Sequence, residues 1–228
     1  MKSRRTVIGT ETAFSHEKLK AKQRCIRDGF PVALTLRVHR ALSWYGRAEQ
    51  ESGDQDVRFI LLWVAFNAAY AGQIDSAPTA ERENFRRFFD CLIQLDPERR
   101  IYNAVWERFS NEIRQLLRNK YVFAPFWAHH NGEPGFSDWG KRLEASHMVV
   151  AKAISKLYTA KILSVVFDRL YVLRNQLIHG GATWHSSVNR QQVQDGAAVL
   201  NCLLPVFIDI MMDHPERGWD MPRYPVVE

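Results

Sequence analysis

The chain has 228 residues, 46% of them hydrophobic and seven of them tryptophan, enough to bury a sizeable core as one domain or two closely packed helical lobes, which excludes wholesale disorder. Thirty-one basic against 25 acidic residues give a net charge of +6 and a pI near 9.3, the sign that concentrates polyanions such as nucleic acid. Apolar runs such as Phe59–Phe66 and Ile162–Phe167 are interrupted well short of the ~20 residues a membrane span needs, so no membrane association is expected.

Residues 1–14 carry no apolar core segment and no small-residue cleavage site; they read as a flexible basic arm, and the chain is expected in the cytoplasm. Ser15 can cap a first helix running to about Asp28, where "DGFP" breaks it. A second helix spans about Val32–Glu51, and a third starts after Asp54 and ends near Gly72. Pro78, at a helix start followed by acidic residues, opens a fourth reaching about Gln94. Asp96-Pro97 begins a fifth extending to Lys120. The stretch "YVFAPFWAHHNGEPGFSDWG", broken by two prolines and three glycines, reads as a long irregular connection containing the surface pair His129-His130. Helices resume over about 138–158, 159–179 and 189–212, with an extended tail from 214 to 228.

The absence of alternating strand patterns gives an all-α fold. Residues 15–213 form one domain, with core helices at about 54–72, 159–180 and 189–212 and inserted helices over about 78–158. Cys25, Cys91 and Cys202 are odd in number and far apart, which predicts buried reduced thiols, not a disulfide framework or a zinc site. No metal or cofactor is called for.

Two helices stand out. In "DVRFILLWVAFNAAYAG" the side chains of Phe59, Trp63, Phe66 and Tyr70 form an aromatic stripe facing a core. Asn67 lies near that face, either bridging to a neighbouring helix or offering its amide to a site. The later helix "AKILSVVFDRLYVLRNQLIHGG" is apolar around most of its circumference. At about 100° per residue, Asp168, Asn175 and His179 share one stripe, whereas Arg174 projects about 140° from His179. Gly180-Gly181 supplies the C-cap, placing His179 in the last turn. His185, six residues on, could line the same cleft. Basic residues also gather at Arg114, Arg118 and Lys120, with the two arginines on one helix face. For each of these residues a purely structural role competes: a histidine capping carbonyls, an arginine pairing with Asp168 or Glu144, a solvated basic face.

Arg174, polar Asn175, three further residues and His179 resemble the Arg–polar–x3–His signature of HEPN domains, the helical nucleotide-binding and ribonuclease module of higher eukaryotes and prokaryotes. The segment "WVAFNAAYAG" is similar to the aromatic core helix of the bacterial subgroup. The resemblance implies a HEPN-type bundle with additional helices, and a homodimer whose two motifs meet across a symmetric cleft. It further implies metal-independent RNA cleavage, with His179 moving the proton, Arg174 stabilising the phosphorane and Asn175 orienting the histidine or the phosphate. Asp168, Asn67 and His185 are accessory candidates, and Arg114, Arg118 and Lys120 are candidates for RNA-backbone binding. Toxin or anti-phage activity follows as an expectation, restrained by a separately encoded antitoxin. A non-catalytic RNA- or nucleotide-binding module and a structural, partner-binding helical protein are the alternatives.

Overall fold

The computed structural model describes residues 14–71, 78–108 and 110–226. The expected basic arm, apart from residue 14, lies outside them, as do Gly72 and the last two residues of the tail. The described residues form ten α-helices and no β-strand: α1 His16–Ile26, α2 Val32–Gln50, α3 Gln55–Tyr70, α4 Pro78–Gln94, α5 Arg100–Asn103, α6 Ser110–Arg118, α7 Ala124–His130, α8 Trp139–Ser155, α9 Thr159–Ile178 and α10 Arg190–Asp213. The all-α class follows directly.

Side-chain caps set the starts of α1 and α3. The Ser15 hydroxyl accepts from the Lys18 amide at 3.3 Å. The Asp54 carboxylate accepts from the amides of Asp56 and Val57 at 2.9 and 3.1 Å, satisfying two donors that the first turn of α3 would otherwise leave open.

The core is built on α3, α9, α10 and α4. Arg190 at the start of α10 bonds Asp56 at the start of α3, so these two helices run the same way. Phe66 of α3 lies 4.5 Å from Phe167, centroid to centroid, while Trp63 lies 6.2 Å from Tyr171, so α9 runs against them. Close approach of α10 depends on Gly196, where an added Cβ would stand 2.9 Å from Phe59 and 3.0 Å from Leu170. Trp63, Phe66 and Tyr70 all pack inward, as the stripe predicts. They meet Phe85 and Phe89 of α4, Phe167 and Phe207 in one aromatic cluster. Each such ring contributes about 1.5–3 kcal/mol through burial and aromatic pairs add about 0.5–1.5 kcal/mol, so α4 is part of the core and not an appendage to it.

Three sequence expectations change. The fifth helix does not run unbroken from Asp96 to Lys120. Arg99 adopts φ +57°, the buried Asp96 carboxylate takes the Ile101 amide at 2.8 Å, and the chain passes through a π-helical turn at Ala104–Arg108 before α6. The aromatic connection contains α7, because Pro125 falls in its first turn, where a missing amide hydrogen costs nothing; His129 and His130 end this helix, both exposed. None of the cysteines is fully buried: Cys25 is exposed, Cys91 and Cys202 are half-buried, and the Cys91 sulfur accepts from Arg217 Nε at 3.2 Å.

One described helix, α10, is long and apolar enough by length and composition to cross a membrane, and 83% of its apolar window is buried in the bundle. Counting uninterrupted apolar runs missed it, because Asp195 and Asp209 interrupt the run without exposing the helix. At its C-terminal end Asp209 and Asp213 bind Lys22 of α1 at 2.6 and 2.5 Å and Arg100 of α5, which supplies the cations that end of a helix favours.

Candidate functional site

The site is organised by the end of α9. His179 is its C-cap residue, one position beyond the last helical residue, with its amide donating to the Asn175 carbonyl. Gly180 follows at φ +70°. The Gly181 amide then bonds the Gln176 carbonyl at 2.7 Å and the Gly180 amide reaches the Leu177 carbonyl at 3.4 Å. This pair is a Schellman cap, which needs a left-handed residue where only glycine fits without strain. It leaves the His179 side chain exposed at the end of the bundle.

Arg174 is half-buried, and its Nη1 donates to the Asn175 Oδ1 at 2.9 Å. Among the described residues it has no carboxylate partner. Neither Asp168 nor Glu144 takes it; Asp168 instead lies 3.7 Å from Nη1 of buried Arg169, whose other nitrogen bonds Ser146 and whose plane lies over Phe123 at 4.4 Å.

Asp168 and Asn175 do line one cleft, of about 700 Å³, together with Tyr171 and Gln176 of α9. Its opposite wall comes from α7 and the turn after it, with Trp127, Asn131, Glu133 and Phe136, and from Arg142 of α8. Arg142 is fixed by Asp138 at 2.8 Å and the Gly135 carbonyl at 2.8 Å. Gln176 ties the two walls together by donating to the Tyr121 carbonyl at 2.6 Å, and Trp127 donates to the same oxygen at 2.7 Å. His179 and Arg174 lie outside this lining. Tyr171, Gln176 and Trp127 were not singled out in the sequence; the concentration of aromatic residues in "YVFAPFW" was the available signal.

The remaining candidates are dispersed. The His185 amide donates to Asp56 at 3.0 Å and its Nε2 lies 3.6 Å from Asp54, so His185 is drawn to the start of α3 and not into the cleft. Beside it the Trp184 indole donates to Asp54 at 2.6 Å. Burial opposes ionisation of Asp54, yet the Trp184 N–H and the amides of Val57 and Asp56 hold its carboxyl below the usual carboxylate range. Asn67 sits level with Phe167, well before Arg174, and its amide bridges to no neighbouring helix among the described residues. Lys120 is exposed, 5.1 Å from the Tyr121 ring, near the cleft through Tyr121 and Gln176. Arg114 and Arg118 line a separate groove against α8.

No family model, no curated protein and no solved structure is matched by this chain.

Proposed function

We propose that the protein is a metal-independent endoribonuclease that acts as a symmetric homodimer, with Arg174 and His179 of its two chains forming composite sites. The observation that carries this reading is the state of Arg174: a half-buried guanidinium bonded to a neighbouring neutral amide and to no carboxylate among the described residues. The charge is uncompensated by a carboxylate and the remaining donors of the guanidinium have no partner among the described residues, which suits them to a phosphate. His179 stands exposed five residues on. The resemblance of this segment to the HEPN signature adds the reaction class.

In the reaction, the 2′-hydroxyl of one ribose attacks the adjacent phosphorus. The His179 imidazole accepts its proton, the new P–O2′ bond forms and the P–O5′ bond breaks. A proton returns to the departing 5′ oxygen, leaving a 2′,3′-cyclic phosphate and a 5′-hydroxyl. Arg174 stabilises the dianionic phosphorane through its planar pair of donors. A two-fold axis that brings two α9 ends together sets both arginines and both histidines around one cleft, where the arginine of one copy can work with the histidine of the other. Such an enzyme would work in the cytoplasm as a toxin or anti-phage effector under the control of a separately encoded antitoxin.

The adjoining cleft favours a second reading, a non-catalytic RNA- or nucleotide-binding module. Trp127, Phe136 and Tyr171 offer stacking surfaces and Asn131 and Asn175 offer amides. One experiment separates the two: wild-type protein and the His179→Ala variant are incubated with single-stranded RNA in EDTA, and cleavage and binding are both measured. Cleavage by wild type alone supports the enzyme. Salt-dependent binding without cleavage by either supports the module.

A further inference from the structure

Arg114 and Arg118 stand one turn apart on α6, both exposed and neither ion-paired among the described residues. Together with α8 they border a groove of about 570 Å³. Its floor is apolar: Leu117 and Val150 are buried, and Ile154 and Ala151 complete it. His147 also lines the groove, and its Nε2 is buried without a hydrogen-bond partner. Two unneutralised cations at the rim call for a group rich in acceptors.

The chemistry of the floor decides what that group belongs to. A single nucleic-acid strand also needs aromatic faces on which its bases stack; the lining of this groove has no Phe, Tyr or Trp. An amphipathic helix with Asp or Glu beside Leu, Ile or Met matches both parts, its apolar anchors over Leu117, Val150 and Ile154 and its carboxylates at the two arginines. The chain's own first 13 residues have the wrong sign, with Lys2, Arg4 and Arg5 against Glu11. We propose that the groove between α6 and α8 is the docking site for an acidic amphipathic helix of another polypeptide.

The test uses the full-length protein and a fluorescently labelled helical peptide of about 16 residues, long enough for about four turns, with leucines on one face flanked by glutamates. Its counterpart keeps the leucines and replaces every glutamate by lysine. The acidic peptide is expected to bind and the basic one not. The Arg114→Glu/Arg118→Glu variant and, separately, Ala151→Glu are each expected to weaken binding by about 10-fold or more. All three positions are exposed, and unchanged melting temperatures verify folding. Equal binding of both peptides, or of neither, overturns the proposal. So does a loss of affinity for single-stranded RNA instead of peptide in the double-arginine variant, which would make the groove a nucleic-acid track. Conversion of a dimer to a monomer by Ala151→Glu would instead make it a contact between copies.

Discussion

Arg174 and Asn175 are consecutive residues whose side chains leave α9 about 100° apart, yet the guanidinium curls back to donate to the amide oxygen at 2.9 Å. Asn175, expected to orient the histidine or the phosphate, also accepts from the arginine in the folded chain and lines the cleft. Arg174→Ala and His179→Ala are therefore each expected to abolish RNA cleavage while leaving the fold intact. Asn175→Ala should lower it by about 10-fold or more, since a hydrogen bond to a charged guanidinium is worth about 1.5–3 kcal/mol. Arg174→Lys should not restore activity, because a point charge lacks the paired donors. Gel assays of a labelled RNA strand check all four, and cleavage by Arg174→Ala at the wild-type rate would remove the arginine from the mechanism.

Mixing tests the composite site directly. The Arg174→Ala and His179→Ala proteins are inactive alone, but a dimer containing one of each has one intact site. After subunit exchange at equal concentrations about a quarter of wild-type activity should return, since about half of the dimers are mixed and each carries one working site of two. No recovery, with exchange verified by mass measurement, would mean that each chain supplies both groups itself.

Gly180 supports His179 through the cap. At φ +70°, alanine is strained by about 1–2 kcal/mol, and for a chain of this size each kcal/mol lowers the melting temperature by about 2–4 °C. Gly180→Ala is expected to show that loss in a thermal scan and to reduce cleavage as well, because the cap sets where the imidazole stands. A Gly180→Ala protein with normal stability would show that α9 ends in some other way.

Two aspartates should respond to pH in opposite directions. The folded-state pKa of Asp54 is depressed, so its contribution to stability is fully present above the unfolded value near 3.8 and is lost as the pH falls through the folded value. Asp54→Asn keeps a good cap for α3 and removes the charge together with the oxygen that accepts from Trp184. It should melt lower than wild type at pH 7, with the difference closing below about pH 4. Asp195 is the reverse case: burial raises its pKa, the bond from Gln191 at 2.7 Å opposes the rise, and Glu112 adds to it. Its ionisation weakens the fold as the pH rises through the folded value, so Asp195→Asn should melt higher than wild type at pH 7. Melting curves between pH 3 and 8 test both signs.

Much of the helical map was readable along the chain. Ser15, Asp54 and Pro78 mark helix starts and Gly180 a helix end because caps act over three or four residues, and the inward face of Trp63, Phe66 and Tyr70 follows from spacing alone. The sharing of one face by Asp168 and Asn175 was readable too. Tertiary structure decided the rest. It broke the fifth helix at Arg99 and turned the proline-rich stretch into α7, seated by the edge-on contact of Phe126 with Trp139 at 5.0 Å. It also drew His185 to Asp54 and Asp56, residues about 130 positions earlier in the chain, and left Arg174 without a carboxylate among the described residues. Pairings of this kind depend on which surfaces meet across the bundle, and periodicity within a single helix carries no information about what faces it.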